Sequence, residues 1–171
     1  MNNPVHLNFS RMLQKKKLSK EEALQKAKRY CDYQHRCHSE VKEKLYSLGI
    51  WKNEVEEIIA QLIEEKYLDE ERFAIHFARG RFKLKQWGKE KIKYELKQKR
   101  VSDYCIRKAI AGIDETEYEK TLQKLAEEKR ESLKAEKNIF IRKRKLQDYL
   151  MQKGYEFNAI QKIIAEDKEQ K

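Results

Sequence analysis

The fold is decided by the stretch VKEKLYSLGIWKNEVEEII at residues 41–59, because its pattern of apolar residues occurs twice more along the chain. The second copy is IKYELKQKRVSDYCIRKAI at 92–110, and the third is LQDYLMQKGYEFNAIQKII at 146–164. Each copy has apolar residues at its first, fifth, tenth, fifteenth, eighteenth and nineteenth positions. The ninth position holds glycine in the first and third copies but Arg100 in the second. A fixed spacing shared by three stretches indicates an internal repeat.

Apolar residues at steps of three and four are typical of amphipathic helices, and a glycine between two such patterns is typical of a helix end. Each copy therefore predicts a helix, a tight turn and a second helix. A longer helical pattern precedes each pair, which completes a three-helix unit near the lower size limit for a stable domain. The sequence thus predicts an all-α, elongated chain of three tandem three-helix repeats, with a single globular bundle as the alternative. The predicted boundaries are a flexible arm at 1–18 and repeats at 19–67, 68–112 and 113–171.

Helix starts are indicated by polar side chains that accept hydrogen bonds from free backbone N–H groups. Ser19 and Glu22 have the spacing of a capping box, as do Asn53 and Glu56, and Ser39 is a predicted N-cap. The turn at the ninth position of each copy calls for a left-handed residue. Because that conformation costs a non-glycine residue about 1 kcal/mol or more, the second repeat either ends its helix differently or accepts this strain.

The composition excludes several classes of protein. Five glycines and one proline among 171 residues argue against an all-β fold, which needs many turns. No stretch approaches the ~20 apolar residues of a membrane helix, and the first residues lack the apolar core of a signal peptide. Three cysteines without an export signal indicate reduced thiols. We therefore expect a cytoplasmic protein, and the lack of a long heptad pattern favours a monomer.

Charge is the strongest functional signal in the sequence. The chain has 40 Lys and Arg against 29 Asp and Glu, a net charge of +11, which favours a polyanion or an acidic protein surface as partner. Residues 72–100 hold eleven basic residues and two acidic ones, whereas residues 53–71 are mainly acidic. A solvated helix face is the alternative interpretation. The predicted partner-binding residues are Arg72, Arg79, Arg81, Lys83, Lys85, Lys89, Lys91, Lys93, Lys97, Lys99, Arg142, Lys143, Arg144 and Lys145.

Aromatic residues stand among these charges. Phe73 and Phe77 are four residues apart, which favours a place in the core. Phe82 and Trp87 are candidates for stacking on a nucleic-acid base, with burial as the alternative.

The residue patterns of common enzymes are absent from the sequence. It has no phosphate-binding GxxxxGK[ST] loop, no GxSxG and no HExxH, so it predicts neither a catalytic residue nor a cofactor. One cluster has the residue types of a zinc site: Cys31, His35, Cys37 and His38. The paired spacings of structural zinc sites are missing, however, and a helix start at Ser39 would turn His38 away. We expect no metal site.

Three segments carry a more specific pattern: SEVKEKLYSLG at 39–49, YLDEERFA at 67–74 and WGKEKIKYEL at 87–96. They resemble the RecX regulatory proteins of bacteria, whose patterns are S-x-x-E-L-x-x-K-L-x-x-K-G, G-Y-L-D-D-x-R-F-A and G-x-x-x-I-x-x-E-L. The resemblance extends over about residues 19–166, and YLDEERFA is its most specific part. Lys66 and Arg100 stand where the family commonly has glycine.

The resemblance implies tandem three-helix units and a regulator that is not an enzyme. Such proteins bind the RecA recombinase, chiefly as a filament on single-stranded DNA, and modulate its ATPase and strand exchange, mostly by inhibition. They act in recombination, DNA repair and the SOS response. Two alternatives stay open on the residues alone. One is a stand-alone nucleic-acid-binding module, because a three-helix unit can present a helix to a groove, and the other is a helical scaffold for another protein.

Overall fold

The computed structural model describes residues 18–166, so most of the predicted arm at 1–18 lies outside the described residues. Within that range the chain is all-α, as predicted, with nine helices and no strand. It divides into two compact units, Met1–Asp69 and Glu70–Lys171. The helices are α1 (Lys20–Tyr33), α2 (His38–Ser47) and α3 (Lys52–Glu64) in the first unit, and α4 (Glu70–Lys85), α5 (Lys89–Gln98), α6 (Asp103–Ala111), α7 (Glu115–Ser132), α8 (Ile139–Lys153) and α9 (Phe157–Glu166) in the second.

The first unit is one complete three-helix repeat. Each of its helices packs against the other two, and each buries a single apolar face. Full burial of such a side chain contributes about 1.5–3 kcal/mol, so the shared core holds the unit together. The largest fully buried side chains of this core are Val41, Leu45, Val55, Ile58, Leu62 and Leu68.

The turn that defines the repeat has the same hydrogen bonds in all three copies. In the first copy, the N–H of Ile50 donates to the carbonyl of Leu45 (3.2 Å) and the N–H of Gly49 donates to that of Tyr46 (2.9 Å). This pair of bonds is the Schellman motif, which closes a helix through a left-handed residue. The same pair joins Val101 to Leu96 and Arg100 to Lys97 in the second copy, and Tyr155 to Leu150 and Gly154 to Met151 in the third.

Of the two alternatives for the second repeat, Arg100 adopts the strained left-handed conformation. Its φ is +58°, in the same left-handed region as Gly49 (+81°) and Gly154 (+87°). Lys66 also has a positive φ, +63°, where it ends the first repeat. Both departures from glycine therefore keep the turn geometry, at a cost of about 1–2 kcal/mol each.

Two of the three predicted helix starts are wrong by two residues. The capping box of Ser19 and Glu22 is confirmed. However, α2 begins at His38 after Cys37, not after Ser39, and α3 begins at Lys52 after Trp51, not after Asn53. In both helices a glutamate three residues into the turn accepts the N–H of the residue before the helix, Glu40 from Cys37 and Glu54 from Trp51 (both 3.3 Å). This bond from the backbone N–H to the glutamate forms whatever the side chain of the residue before the helix. A search for hydroxyl and amide caps therefore misplaces the helix start.

The second unit contains two repeats that share an aromatic core. α4 packs on α5 and α6, and α8 packs on α7 and α9. Between the two repeats, the Phe82 ring lies 5.7 Å from the Tyr118 ring, which lies 5.0 Å from the Tyr155 ring. All three side chains are buried, at 3% exposure each. This row of rings links α4, α7 and the turn after α8.

A backbone contact between two glycines forms the tightest point of this junction. The N–H of Gly88, just before α5, donates to the carbonyl of Lys153 (2.8 Å), and the N–H of Glu90 donates to that of Gly154 (3.0 Å). The free N–H groups that open α5 are thus satisfied by the free carbonyls that end α8, and the two helix dipoles meet with opposite signs. A Cβ on Gly88 would overlap the Gly154 carbonyl, and one on Gly154 would overlap the backbone of Lys91.

Tyr118 adds side-chain hydrogen bonds to the same junction. Its hydroxyl accepts the N–H of Lys89 (3.0 Å) and donates to Glu156 (2.5 Å), while the Tyr155 hydroxyl donates to the carbonyl of Gln86 (3.3 Å). Burial raises the pKa of Tyr118, and the bond to Glu156 raises this pKa further. Both effects keep the phenol neutral, so it remains a donor.

The glycine contact leads to a test of stability. Gly88→Ala should lower the free energy of unfolding by about 2 kcal/mol, because the added methyl group forces the two backbones apart. Gly80→Ala is the matched control: it lies inside α4, where nothing beyond the adjacent backbone of that helix lies within 4 Å of the added Cβ, and should raise the free energy of unfolding by up to about 1 kcal/mol. Urea denaturation followed by far-ultraviolet circular dichroism measures both. Equal stability of Gly88→Ala and the unaltered chain would contradict the close packing.

Candidate partner-binding surface

Two sets of basic residues stand out on the second repeat, and the first set lies on α4. Arg72, Arg79 and Lys83 are seven and four residues apart, so they lie on one face of the helix, and all three are exposed. We call these three residues the α4 stripe. Lys85 is also exposed, in the last turn of α4, but its spacing places it on another side of the helix. The structure therefore brings together only part of the predicted set on α4.

The second set surrounds two aromatic rings. The Arg81 guanidinium lies 4.9 Å from the centre of the Phe77 ring and 5.2 Å from that of Trp87. The ammonium of Lys91 lies 4.8 Å from the Trp87 ring centre, and that of Lys99 lies 5.8 Å from the Phe77 ring centre. A cation over an aromatic face contributes roughly 0.5–1 kcal/mol at exposed sites. These contacts therefore hold the basic side chains of this cluster against the two rings.

The expectation of a place in the core is confirmed for Phe73 and wrong for Phe77, while Phe82 takes the buried alternative. Phe73 and Phe82 are buried in the core, at 5% and 3% exposure. Phe77 and Trp87 are half-buried at the surface. Since Arg81 and Lys91 already lie over the Trp87 ring, the ring's contacts within the protein explain its position without a nucleic-acid base.

Several predicted residues have carboxylate partners. The ammonium of Lys89 lies 2.5 Å from Glu115 and 4.3 Å from the Tyr118 ring centre, so Lys89 belongs to the junction between repeats. Pairs of exposed charges contribute about 0–1 kcal/mol, so such lysines stay available to a partner. The exposed or partly exposed pairs are Lys83 with Glu117 (3.4 Å), Lys93 with Glu90 (2.7 Å) and Lys97 with Asp103 (4.0 Å).

The basic run of α8 lies far along that helix from the contact with α5. The carboxyl end of α8 meets α5 at Lys153, whereas Arg142 is eleven residues earlier on the same helix. At 1.5 Å per residue this distance is roughly 16 Å along the axis. Lys145 pairs with Glu136 (3.0 Å) and Arg144 approaches Asp148 (4.0 Å). The structure therefore places the run at 142–145 away from the junction with α5.

The cysteine and histidine cluster does not share a helix face. α1 ends at Tyr33, so Cys31 belongs to α1, His35 follows that helix, and His38 opens α2. Cys31 and Cys37 are buried at 7% and 0% exposure. Over residues 18–166, no three side chains of His, Cys, Asp or Glu come together in a way that could hold a metal ion.

A groove of about 760 Å³ lies between α7 and α9. Its walls carry both signs of charge, including Glu119 and Glu127 of α7 and Lys162 of α9, around Leu122 and Ile163. The Tyr118 hydroxyl at its edge is already bonded to Glu156. The groove thus offers mixed polar contacts rather than a group set up for chemistry.

None of the helices in the described part of the chain has the length and apolar character needed to cross a membrane. The fold and the surface together define a class: a tandem three-helix repeat protein with cationic helices on its middle repeat. Comparisons with known proteins agree with this class and name a family.

Two family models match the chain. The model described as "RecX, second three-helix domain" matches residues 69–110, and the one described as "RecX, third three-helix domain" matches residues 116–164. Among curated relatives, the regulatory protein RecX of Clostridium tetani is 32% identical over 81% of this chain and 63% of its own length. That of Bacillus cytotoxicus is 29% identical over 83% of this chain and 52% of its own length.

The crystal structure of RecX from Lactobacillus salivarius has the same fold, with a TM-score of 0.78 and 25% identity over 86% of this chain and 95% of that chain. The chain belongs to the RecX family of regulatory proteins. It spans about half to two thirds of the length of the curated relatives it matches first.

Burial of Cys31 has a measurable consequence. Burial raises the pKa of its thiol to about 11, so the reactive thiolate is scarce at neutral pH. At pH 8, alkylation of Cys31 by iodoacetamide should be about a hundredfold slower than for a thiol of ordinary pKa, and it should accelerate as the pH rises toward 11. Peptide mapping by mass spectrometry measures this rate, with the urea-unfolded chain as control. Fast alkylation of the folded chain at pH 8 would contradict the burial.

Proposed function

We propose that this protein binds the RecA recombinase as a filament on DNA and inhibits its ATPase and strand-exchange activity. Membership in a family of regulatory proteins supports the regulatory part of this proposal. The observation that carries the binding part is the exposed α4 stripe, Arg72, Arg79 and Lys83, on a chain with a net charge of +11.

The proposed action needs binding alone. A filament presents identical protomers in sequence, and tandem repeats present related surfaces in sequence, so one chain can contact more than one protomer. The junction at Gly88 and Gly154 supports this, because it holds the second and third repeats in a fixed relation. Because the bound protein favours one arrangement of the protomers, ATP hydrolysis that requires a different arrangement becomes slower. We also propose that the protein acts as a monomer in the cytoplasm, which is the compartment of the chromosome.

Direct binding of nucleic acid is the second candidate. The α4 stripe favours it, because arginine and lysine on one helix face neutralise a row of phosphates without reading their sequence. This function predicts tight, salt-dependent binding to DNA that needs no recombinase. A helical scaffold for another protein predicts neither activity.

One experiment separates these functions. The protein is titrated against single-stranded DNA, against RecA and against RecA filaments on that DNA, with ATPase measured in the last case. We expect the strongest binding to the filament and a loss of ATPase at excess protein. Unchanged ATPase together with no filament binding at moderate salt would overturn the proposal, and equal affinity for bare DNA would favour the second candidate.

Charge reversal on the α4 stripe tests its role. Arg79→Glu with Lys83→Glu should weaken filament binding by about tenfold or more and reduce the slope of log affinity against log salt by up to about 2, because two counterion-releasing contacts are lost. Lys26→Glu with Arg29→Glu is the matched control, since both residues are exposed on α1 and the charge change is the same. The unfolding midpoint of each variant shows that the fold is intact. Equal losses in the two variants would mean that net charge, not the stripe, governs binding.

A further inference from the structure

The third repeat has an extra helical turn that contributes nothing to its core. α8 has 15 residues, whereas the equivalent helices α2 and α5 have 10 each. The first buried residue is the fourth of α2 (Val41) and of α5 (Ile92), but the eighth of α8 (Leu146). α8 therefore begins four residues early, at Ile139.

The extra turn lies at the end of a helical hairpin without a buried side chain. From residue 127, after the last buried residue of α7, to residue 145 no side chain is buried. The turn is nevertheless well formed, because the Asn138 side chain accepts the N–H groups of Phe140 (2.9 Å) and Ile141 (3.3 Å). It is thus a defined projection of the third repeat.

Three consecutive apolar residues occupy this projection. Ile139 is 36% exposed, Phe140 81% and Ile141 42%. Isoleucine and phenylalanine are weaker helix formers than alanine, lysine or glutamate, so local helix stability does not account for them. A contiguous apolar group on an exposed element is typical of an interaction site.

Basic residues surround the apolar group. Residues 133–145 contain six basic residues and one acidic residue, Glu136. Lys134, Lys145 and Arg144 approach carboxylates of Glu131, Glu136 and Asp148. Lys137 and Lys143 form no ion pair with any residue in the range 18–166, while Arg142 lies close enough to Glu136 to help lower the pKa of that carboxyl. The projection therefore presents an apolar centre with an excess of positive charge around it.

We propose that residues 137–143, the docking tip, insert Phe140 into an apolar pocket of a partner protein whose rim carries carboxylates. An aromatic anchor flanked by arginine is the composition of the energetic centre of a protein interface. The two isoleucines favour a protein over single-stranded nucleic acid as the partner, because unpaired bases stack on aromatic rather than aliphatic side chains. The partner is the recombinase filament, so the inference rests on the proposed function and adds a second contact, separate from the α4 stripe.

The test is binding of Phe140→Ser to RecA filaments on single-stranded DNA. We expect the affinity to fall by about tenfold or more, with no change in the unfolding midpoint, since the side chain touches no core. Tyr33→Ser is the matched control: it removes a ring of 84% exposure on α1 and should leave the affinity unchanged. A photoreactive benzoylphenylalanine at position 140 should cross-link to the recombinase.

The possible results are distinct. Filament binding by the unaltered chain that survives Phe140→Ser overturns the docking tip and leaves the proposed function standing. No filament binding by the unaltered chain overturns both. A loss by Phe140→Ser of binding to DNA alone, or to vesicles of phosphatidylglycerol and phosphatidylcholine, with filament binding unchanged, assigns the tip to another class of partner and overturns the inference.

Discussion

The N–H groups that open α5 donate to the carbonyls that end α8, and the second unit depends on this contact. Two glycines allow it, because a Cβ on Gly88 or Gly154 would overlap the opposing backbone. The contact satisfies groups that each helix would otherwise leave to water. The tyrosines of the junction then pack around it, and Tyr118 bonds to both sides, to the N–H of Lys89 and to Glu156. A single small-residue contact thus sets the relation between two repeats.

This junction also determines which positive charges remain available. It draws Lys89 to Glu115 and over the ring of Tyr118, so one predicted contact residue becomes part of the fold. Arg81 is likewise held between Phe77 and Trp87. The exposed basic residues include the α4 stripe, Lys85 and Lys97, and part of the basic run beside the docking tip, roughly 16 Å along α8 from the junction. A binding protein with two such surfaces can contact one partner at two places, which raises affinity without any new contact type.

The repeats are alike in their turns and different in their ends. All three keep a left-handed residue and the same two hydrogen bonds, even where Arg100 replaces glycine. The turn is therefore retained at an energetic cost, because the angle between the second and third helices of each repeat depends on it. The first two helices of each repeat are free to vary in length at the opposite end, where α7 and α8 extend beyond the core.

The amino-acid sequence alone determined the helices, the three-fold repeat and its turns, because apolar spacing and chain-reversing residues are local properties. It also indicated the family, through YLDEERFA and its neighbours. Only the tertiary structure decided which charges are paired, since Lys89 and Glu115 are far apart in the chain. It likewise decided that the carboxyl end of α8 meets α5, that Gly88 and Gly154 are in contact, and that Phe140 stays exposed. Burial and pairing depend on contacts between distant residues, and no local pattern encodes them.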